Sequence, residues 1–170
     1  MKIIFVDGYN VINSWPNLKQ QKDYSFDGAR KSLINTLHNY AVYEGCNVII
    51  VFDAHKVNRS IEKKENINKN ISIVFTKDGE TADSYIEREV HNLGRRFEVY
   101  VVTSDWLEQQ TIFQRGAVRI AALEFYNEVL ETENRINKKT IKSISSSKNH
   151  LGDNVDEDIL KMLEAIRRSE

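Results

Sequence analysis

Short continuous runs of apolar residues recur along the chain, separated by longer segments in which apolar residues return every three or four positions. Continuous runs, unlike the alternating pattern of a half-exposed strand, are typical of parallel strands that are buried on both faces. The predicted strands cover residues 3–6, 48–52, 71–75 and 99–102, with a weaker fifth strand near residues 117–121.

The segments between these runs have the periodicity of amphipathic helices. The predicted helices cover residues 27–43, residues 81–93, a segment after Asp105 and a segment that starts near Leu123. Gly45 and Gly94 follow the first two, and glycine is common just beyond the C-terminus of a helix. Because crossovers between parallel strands are right-handed almost without exception, this order predicts an open, mostly parallel α/β sheet with helices on both faces, in three layers.

Two basic segments interrupt this alternation. Residues 54–70 have little apolar material and predict an exposed basic excursion, whereas residues 132–150 predict a mobile basic linker. An acidic amphipathic helix is predicted from about Asp156. We therefore expect a core domain over residues 1–131, followed over residues 132–170 by the linker and a C-terminal helix.

Composition narrows the possible classes of protein. The chain has 170 residues and a formal net charge of -1, which suits one domain and excludes a uniformly basic surface for nucleic acid. Cys46 is the only cysteine, so no intramolecular disulfide can form, as is usual in a reducing compartment. The N-terminal apolar run is too short for a signal peptide or a membrane span, and we expect a cytoplasmic protein with no membrane contact.

Carboxylates cluster where the predicted strands end. Asp7 and Asp53 directly follow two strands, and Asp105 follows the strand over residues 99–102. Asp83 lies in the first turn of a predicted helix, on the side that faces the same edge, and Glu80 precedes it. Because ligands of open α/β sheets bind at the carboxyl ends of the strands, this edge is the expected site.

Such a cluster predicts a divalent metal site. Like charges at close range raise each other's pKa, so neighbouring carboxylates are stable as anions mainly when a cation neutralises them. Mg²⁺ prefers oxygen ligands and binds through one or two carboxylates together with substrate phosphate. One or two ions of Mg²⁺ or Mn²⁺ at this edge would suit phosphodiester hydrolysis without a histidine base.

Each carboxylate also has a simpler interpretation. Asp7 and Gly8 could form the type I′ turn of a β-hairpin, although the continuous apolar run before them favours a central parallel strand. Asp105 could be a helix N-cap, and Asp53 could cap whatever follows it. Asp83 could favour the positive end of its helix dipole. Only a metal site, however, requires all of them at one edge.

Several phosphate-handling classes lack their signatures here. The sequence contains neither G-x-x-x-x-G-K-[ST] nor G-x-G-x-x-G, which argues against nucleotide binding of the P-loop or Rossmann type. A haloacid-dehalogenase phosphatase would carry a second aspartate two residues after the first, but residue 9 is tyrosine. A G-x-S-x-G nucleophile motif is also absent.

Four short segments resemble the NYN-domain nucleases and, more closely, their bacterial YacP-like branch. These segments are IFVDGYNVI at residues 4–12, VFDA at 51–54, GETADSYIE at 79–87 and VVTSD at 101–105. They occur in the family's order, and the resemblance covers about residues 1–130. It implies a PIN-like fold and a metal-dependent endoribonuclease.

By position, the resemblance also implies roles for single residues. Asp7, Asp83 and Asp105 would bind the metal, and Asn10 would orient substrate phosphate or a metal-bound water. Asp53 would be an additional acidic residue of the pocket. Ser104 would donate a hydrogen bond to a metal-binding carboxylate.

The branch is associated with translation-linked decay of messenger RNA, so the resemblance implies mRNA as substrate and the ribosome as partner. Candidate RNA contacts are Tyr9, Lys56, Arg59, Lys63, Lys64 and Trp106. The alternative is that these lysines are solvated surface and these aromatic residues are core. Two other functions stay open, namely an RNA- or ribosome-binding module that does not cleave, and a metal-dependent phosphatase or DNA nuclease that uses the same pocket.

Overall fold

The computed structural model describes residues 1–53, 63–104 and 117–148, and in these ranges it contains one six-stranded sheet. The strands are β1 (Lys2–Asp7), β2 (Asn47–Phe52), β3 (Lys63–Asn66), β4 (Ile71–Phe75), β5 (Glu98–Val102) and β6 (Val118–Ile120). Their order across the sheet is β3-β4-β2-β1-β5-β6, and every pairing is parallel except that of β3 with β4. All five predicted strands are confirmed.

Helices follow the strands in the order that the periodicity predicted, with two additions near the N-terminus. They are α1 (Gly8–Ser14), α2 (Pro16–Tyr24), α3 (Phe26–Glu44), α4 (Ala82–Leu93) and α5 (Ala122–Lys148), with a 3-10 helix at Gly94–Arg96. The helices predicted over residues 27–43 and 81–93, and from near Leu123, are confirmed as α3, α4 and α5. Those predicted after Asp105 and from Asp156 lie outside the described residues.

Helices cover both faces of the sheet. Alternate strand residues point to opposite faces, so Val6 and Phe52 pack with α1 to α3 and the first part of α5, whereas Phe5 and Val51 pack with α4. The predicted three-layer α/β fold is therefore confirmed. Within the described ranges, no helix combines the length and apolarity that crossing a membrane requires.

The segment directly after β1 is helical, which neither the predicted parallel strand nor the alternative β-hairpin had included. Residues 8–24 form α1 and α2, which the periodicity did not predict because each helix spans only two turns or so. The hairpin alternative is wrong, since Gly8 begins a helix and has no positive φ. Trp15 separates the two helices in an extended conformation, and Pro16 then occupies the first turn of α2, where its missing N–H is tolerated.

The two basic segments also contain more regular structure than predicted. Residues 63–66 of the first are β3, an edge strand that pairs with β4 through its backbone despite its polar sequence. The linker prediction is wrong for residues 132–148, which continue α5. Thr132 is buried and donates to Glu44 Oε1 at 3.1 Å, and no glycine or proline breaks the helix before Lys148.

The contacts divide the chain into two units. Met1–Glu133 holds the sheet and both apolar cores. Asn134–Glu170 is the second unit, of which the structure describes the helical residues 134–148.

Gly8 allows the close approach that joins the end of β1 to the end of β2. A Cβ atom at Gly8 would lie 2.2 Å from Cε1 of Phe52. The Phe52 ring has little room to move, because it stacks on Phe75 with 5.7 Å between centroids and meets the edge of Tyr9 at 5.2 Å. Only glycine fits at position 8 without displacing this aromatic cluster.

We therefore predict that Gly8→Ala lowers the free energy of unfolding by about 2 kcal/mol, as overpacking in a close-packed core usually does. Urea denaturation followed by circular dichroism measures the change. Gly28→Ala is the matched control, since its new methyl group would meet the exposed Ser25 side chain at 3.3 Å and gains helix propensity. Equal midpoints for Gly8→Ala and the wild type would contradict the interpretation.

Candidate active site

Asp7 is the residue on which the candidate site is built. It is the last residue of β1, which lies in the sheet between β2 and β5, and only 8% of its surface is exposed. It is also the N-cap of α1, and its Oδ1 accepts a hydrogen bond from the backbone N–H of Asn10 at 3.0 Å. The cap holds one carboxylate oxygen at the carboxyl edge of the sheet, as the sequence predicted.

The electrostatic surroundings of Asp7 disfavour its charge. The pKa of Asp7 is raised from 3.8 to about 6, chiefly by burial and in part by the carboxylates of Asp83 and Asp53, against the lowering effect of the Asn10 and Tyr9 backbone N–H groups. Asp53 and Asp83 therefore both lie close enough to Asp7 to repel its charge. The structure thus places Asp53 and Asp83 within electrostatic range of Asp7 at the predicted edge, although these three residues alone do not form a complete metal site.

Asp53 fixes the start of α4 beside this cluster. Asp53 follows β2 directly, and its Oδ1 accepts a hydrogen bond from the backbone N–H of Ala82 at 3.0 Å. Thr81 caps the same helix end by accepting from the backbone N–H of Ser84 at 3.2 Å. Asp83 is thereby held, half-buried, in the first turn of α4.

Asn10 connects α1 to the segment that follows β5. Its Nδ2 donates to Oγ1 of the buried Thr103 at 3.5 Å, and its Oδ1 accepts from the backbone N–H of Ser104 at 3.1 Å. The structure thus places Ser104 at the site through its backbone. The roles predicted for the Asn10 amide and the Ser104 hydroxyl toward phosphate, water or a carboxylate stay predictions.

Glu80 is buried, but its charge is balanced within the protein. Oε1 pairs with the guanidinium of Arg88 on α4, and its backbone carbonyl accepts from the Thr76 hydroxyl at 2.7 Å. Within the described part of the chain, Oε2 is buried without a hydrogen-bond partner. Glu80 therefore differs from the Asp7 cluster, in which the neighbouring charges have the same sign.

The candidate RNA contacts divide into buried and exposed residues. The prediction that Tyr9 stacks on bases is wrong for this structure, because only 6% of Tyr9 is exposed and its ring packs 5.2 Å from both Phe26 and Phe52. Lys63 and Lys64 are exposed on β3, and Lys63 pairs with Glu65. The remaining predicted site residues lie outside the described residues, namely Lys56, Arg59, Asp105 and Trp106.

Two residues at this edge were not found from the sequence. Thr103 accepts from Asn10, and its only signal was its position just after a strand. Arg30, near the start of α3, lies over the rings of Phe52 and Phe75 at 5.6 and 5.7 Å from their centroids. Nothing in the helical pattern shows that the first turns of α3 reach the ends of two strands.

The donor set suits a hard divalent cation. Asp7, Asp53 and Asp83 offer carboxylate oxygens, which Mg²⁺ and Mn²⁺ prefer over nitrogen or sulfur. Among residues 1–53, 63–104 and 117–148, no three acidic, histidine or cysteine residues are close enough to form a complete metal site. Asp105, the third ligand that the resemblance implies, is outside these ranges.

Known proteins resemble this chain over its whole length. It is 42% identical over 171 residues to a Bacillus subtilis (strain 168) protein named uncharacterized protein YacP, covering 100% of this chain and 99% of the relative. The crystal structure of Rae1 (YacP) from Bacillus subtilis matches with a TM-score of 0.74 and 41% identity, over 99% of this chain and 95% of that one. The crystal structure of a point mutant of Rae1 (YacP) gives the same TM-score and identity over 85% of each chain.

The family match covers more of the chain than the sequence motifs do. Residues 4–168 match the YacP-like NYN domain, whereas the motifs recognised in the sequence end near residue 130. The segment after residue 132, which lies beyond the motifs, is thus part of the match. NYN domains are nuclease-like and related to PIN domains. On both the length of this match and the identity to its relative, the chain belongs to the YacP-like NYN domain family.

Proposed function

We propose that this protein is a divalent-metal-dependent endoribonuclease that hydrolyses phosphodiester bonds at the carboxyl edge of its sheet. The observation that carries the proposal is the buried carboxylate of Asp7, whose pKa is raised to about 6 by burial and by the neighbouring Asp83 and Asp53. A protein maintains such repulsion most often at functional sites. Membership of a nuclease-like family supports phosphodiesters as the substrate class.

Asp7, Asp83 and Asp105 would hold Mg²⁺ or Mn²⁺, with Asp53 beside them. When bound, the cation supplies the positive charge that activates water and stabilises phosphate oxygens in phosphodiester hydrolysis. Asp7 is oriented for this role by the Asn10 N–H, which engages one of its oxygens. Oδ1 of Asp53 accepts a hydrogen bond from the N–H of Ala82, and Asp53 thereby positions the helix that carries Asp83.

Asn10 contributes by fixing the segment after β5. Its amide contacts Thr103 and the backbone of Ser104, which directly precedes Asp105 in the chain. Loss of these contacts would release that segment from α1. We therefore assign Asn10 a positioning role, in addition to the contact with phosphate or water that the resemblance implies.

We further propose messenger RNA as the substrate, the ribosome as partner and the cytoplasm as the location. These assignments rest on the resemblance to the YacP-like branch and on a net charge of -1, which requires that contacts with RNA be local.

We predict that single-stranded RNA is cut internally by the wild type in MgCl₂ or MnCl₂ and stays intact in EDTA. Asp7→Asn lowers the cleavage rate by at least about a hundredfold, because residues that merely support metal ligands already cost ten- to a hundredfold. Gel analysis of an end-labelled RNA measures the rate. Asp23→Asn, which removes an exposed carboxylate from α2, is the matched control and keeps wild-type activity.

Full cleavage by Asp7→Asn would refute the assignment of the site. RNA binding without product in any metal would indicate a binding module, and parallel assays on DNA and on small phosphate esters would identify a different substrate class.

We also predict that Asp7→Asn is more stable than the wild type at neutral pH in EDTA. The folded-state pKa of Asp7, about 6, exceeds the ordinary value of 3.8, so the folded state holds this proton more tightly. The contribution of Asp7 to wild-type stability therefore falls as pH rises from about 4 to about 6, by up to roughly 3 kcal/mol, and Asp7→Asn escapes this loss. The amide oxygen of asparagine still caps α1.

Urea denaturation of both proteins across this pH range measures the difference, with Asp23→Asn as the control for general charge effects. The gain of Asp7→Asn should vanish near the acid end of the range. MgCl₂ should stabilise the wild type and not Asp7→Asn, because a ligand that binds only the folded state raises its stability. Equal stability at neutral pH, or equal effects of MgCl₂, would contradict the prediction.

A further inference from the structure

Arg30 occupies a defined position at the carboxyl edge of the sheet. Its guanidinium lies 5.6 Å from the ring centroid of Phe52 and 5.7 Å from that of Phe75, and these are the last residues of β2 and β4. Only 18% of its side chain is exposed. The two rings stack on each other, so the cation rests on a rigid aromatic surface.

This guanidinium is close to the acidic cluster. Asp53 directly follows Phe52, and the ring of Tyr9 packs against Phe52 at 5.2 Å. Burial raises the pKa of Tyr9, Arg30 lowers it, and Asp53 and Asp7 raise it, so one hydroxyl is within electrostatic range of all three charges. The structure thus sets a cation beside the candidate active site.

Lys63 extends this positive charge to the next strand. Lys63 and Phe75 are directly opposite each other in the antiparallel pair of β3 and β4. Residues that are directly opposite point to the same face of a sheet, so Lys63 lies on the face that α3 and Arg30 cover. Its side chain is 52% exposed.

The carboxylates that now pair with these cations are easily exchanged. Arg30 pairs with Asp27, which is 78% exposed and lies three residues before it on α3, and Lys63 pairs with the half-buried Glu65. Pairs of this kind contribute at most about 1 kcal/mol. A phosphate group, by contrast, matches the planar fork of a guanidinium and forms charge-assisted hydrogen bonds with it.

We propose that Arg30, with Lys63 beside it, binds the phosphate backbone of single-stranded RNA on the β4 side of the acidic site. RNA as the ligand rests on the proposed function, but binding requires neither metal nor cleavage. Strands lie about 4.8 Å apart, and Lys63 is three strands from Asp7, so it would be roughly 14 Å away. Arg30 and Lys63 therefore contact nucleotides that flank the cleaved bond.

The test measures binding of a fluorescein-labelled single-stranded oligoribonucleotide by anisotropy, in EDTA and over a series of NaCl concentrations. Arg30→Gln should weaken binding about tenfold at low salt, as the loss of one charge-assisted contact does. It should also reduce the slope of log Kd against log [NaCl] by about 0.7, the value for one phosphate contact on a single strand. Arg30→Lys keeps the charge without the planar fork and should keep the slope while losing part of the affinity.

Arg96→Gln is the matched control for the arginine. Arg96 is exposed in the 3-10 helix just before β5, at the amino end of the sheet, and its substitution should leave affinity and slope unchanged. Lys63→Gln has its own control in Lys69→Gln, since Lys69 is exposed in the turn before β4. Lys63→Gln should lower the slope, and Lys69→Gln should not.

A purely structural Arg30 would move the thermal midpoint without moving the slope, so unchanged RNA affinity and slope in folded Arg30→Gln overturns the proposal. If Arg30→Gln fails to fold, unchanged binding by Lys63→Gln overturns it instead. Equal losses in Arg96→Gln and Lys69→Gln, or undetectable binding by the wild type, also overturn it. Because no metal is present, these outcomes are independent of whether the wild type cleaves RNA.

Discussion

The hydrogen bond from the Asn10 backbone N–H to Asp7 Oδ1 determines how the rest of this edge is arranged. It ends β1 and begins α1 at one residue, which leaves no loop between them. The first turn of α1 then lies directly over the strand ends, where Gly8 meets the Phe52 ring and the Asn10 side chain reaches Thr103. Three neighbouring strands are tied together within one helical turn.

This arrangement places an unfavourable charge in the fold. Both Asp7 and Glu80 are buried carboxylates, yet the chain neutralises Glu80 with Arg88 and surrounds Asp7 with Asp83 and Asp53. Burying a charge is tolerable when a partner compensates it, and within the described residues Glu80 has such a partner, whereas the side-chain charges that act on Asp7 have the same sign as its own. This difference is what we expect if Glu80 supports the loop before α4 and Asp7 binds a cation, as we propose.

The sequence predicted the strands and the edge because apolar runs end at aspartates, and Asp7 and Asp53 lie where that rule placed them. The sequence did not predict features that depend on contacts between distant parts of the chain. Tyr9 follows the strand as a substrate-binding residue would, but packing turns its ring into the core. The polar strand β3 forms through backbone pairing with β4, which side-chain patterns do not encode. The position of Arg30 depends on the stacking of Phe52 on Phe75, which is a tertiary contact that the sequence pattern does not predict.

Charge is therefore segregated along one edge of a chain whose net charge is close to zero. Carboxylates lie at the ends of β1 and β2 and at the start of α4, whereas Arg30 lies over the last residues of β2 and β4 and Lys63 begins β3. An acidic cluster repels a polyanion, and salt screens charges beyond about 10 Å, so distant lysines cannot offset that repulsion. Arg30, which lies over the rings of Phe52 and Phe75 beside this cluster, is near enough to do so. If the protein binds and cleaves RNA as we propose, it needs positive charge beside its acids, and the stacking of Phe52 on Phe75 fixes where Arg30 lies.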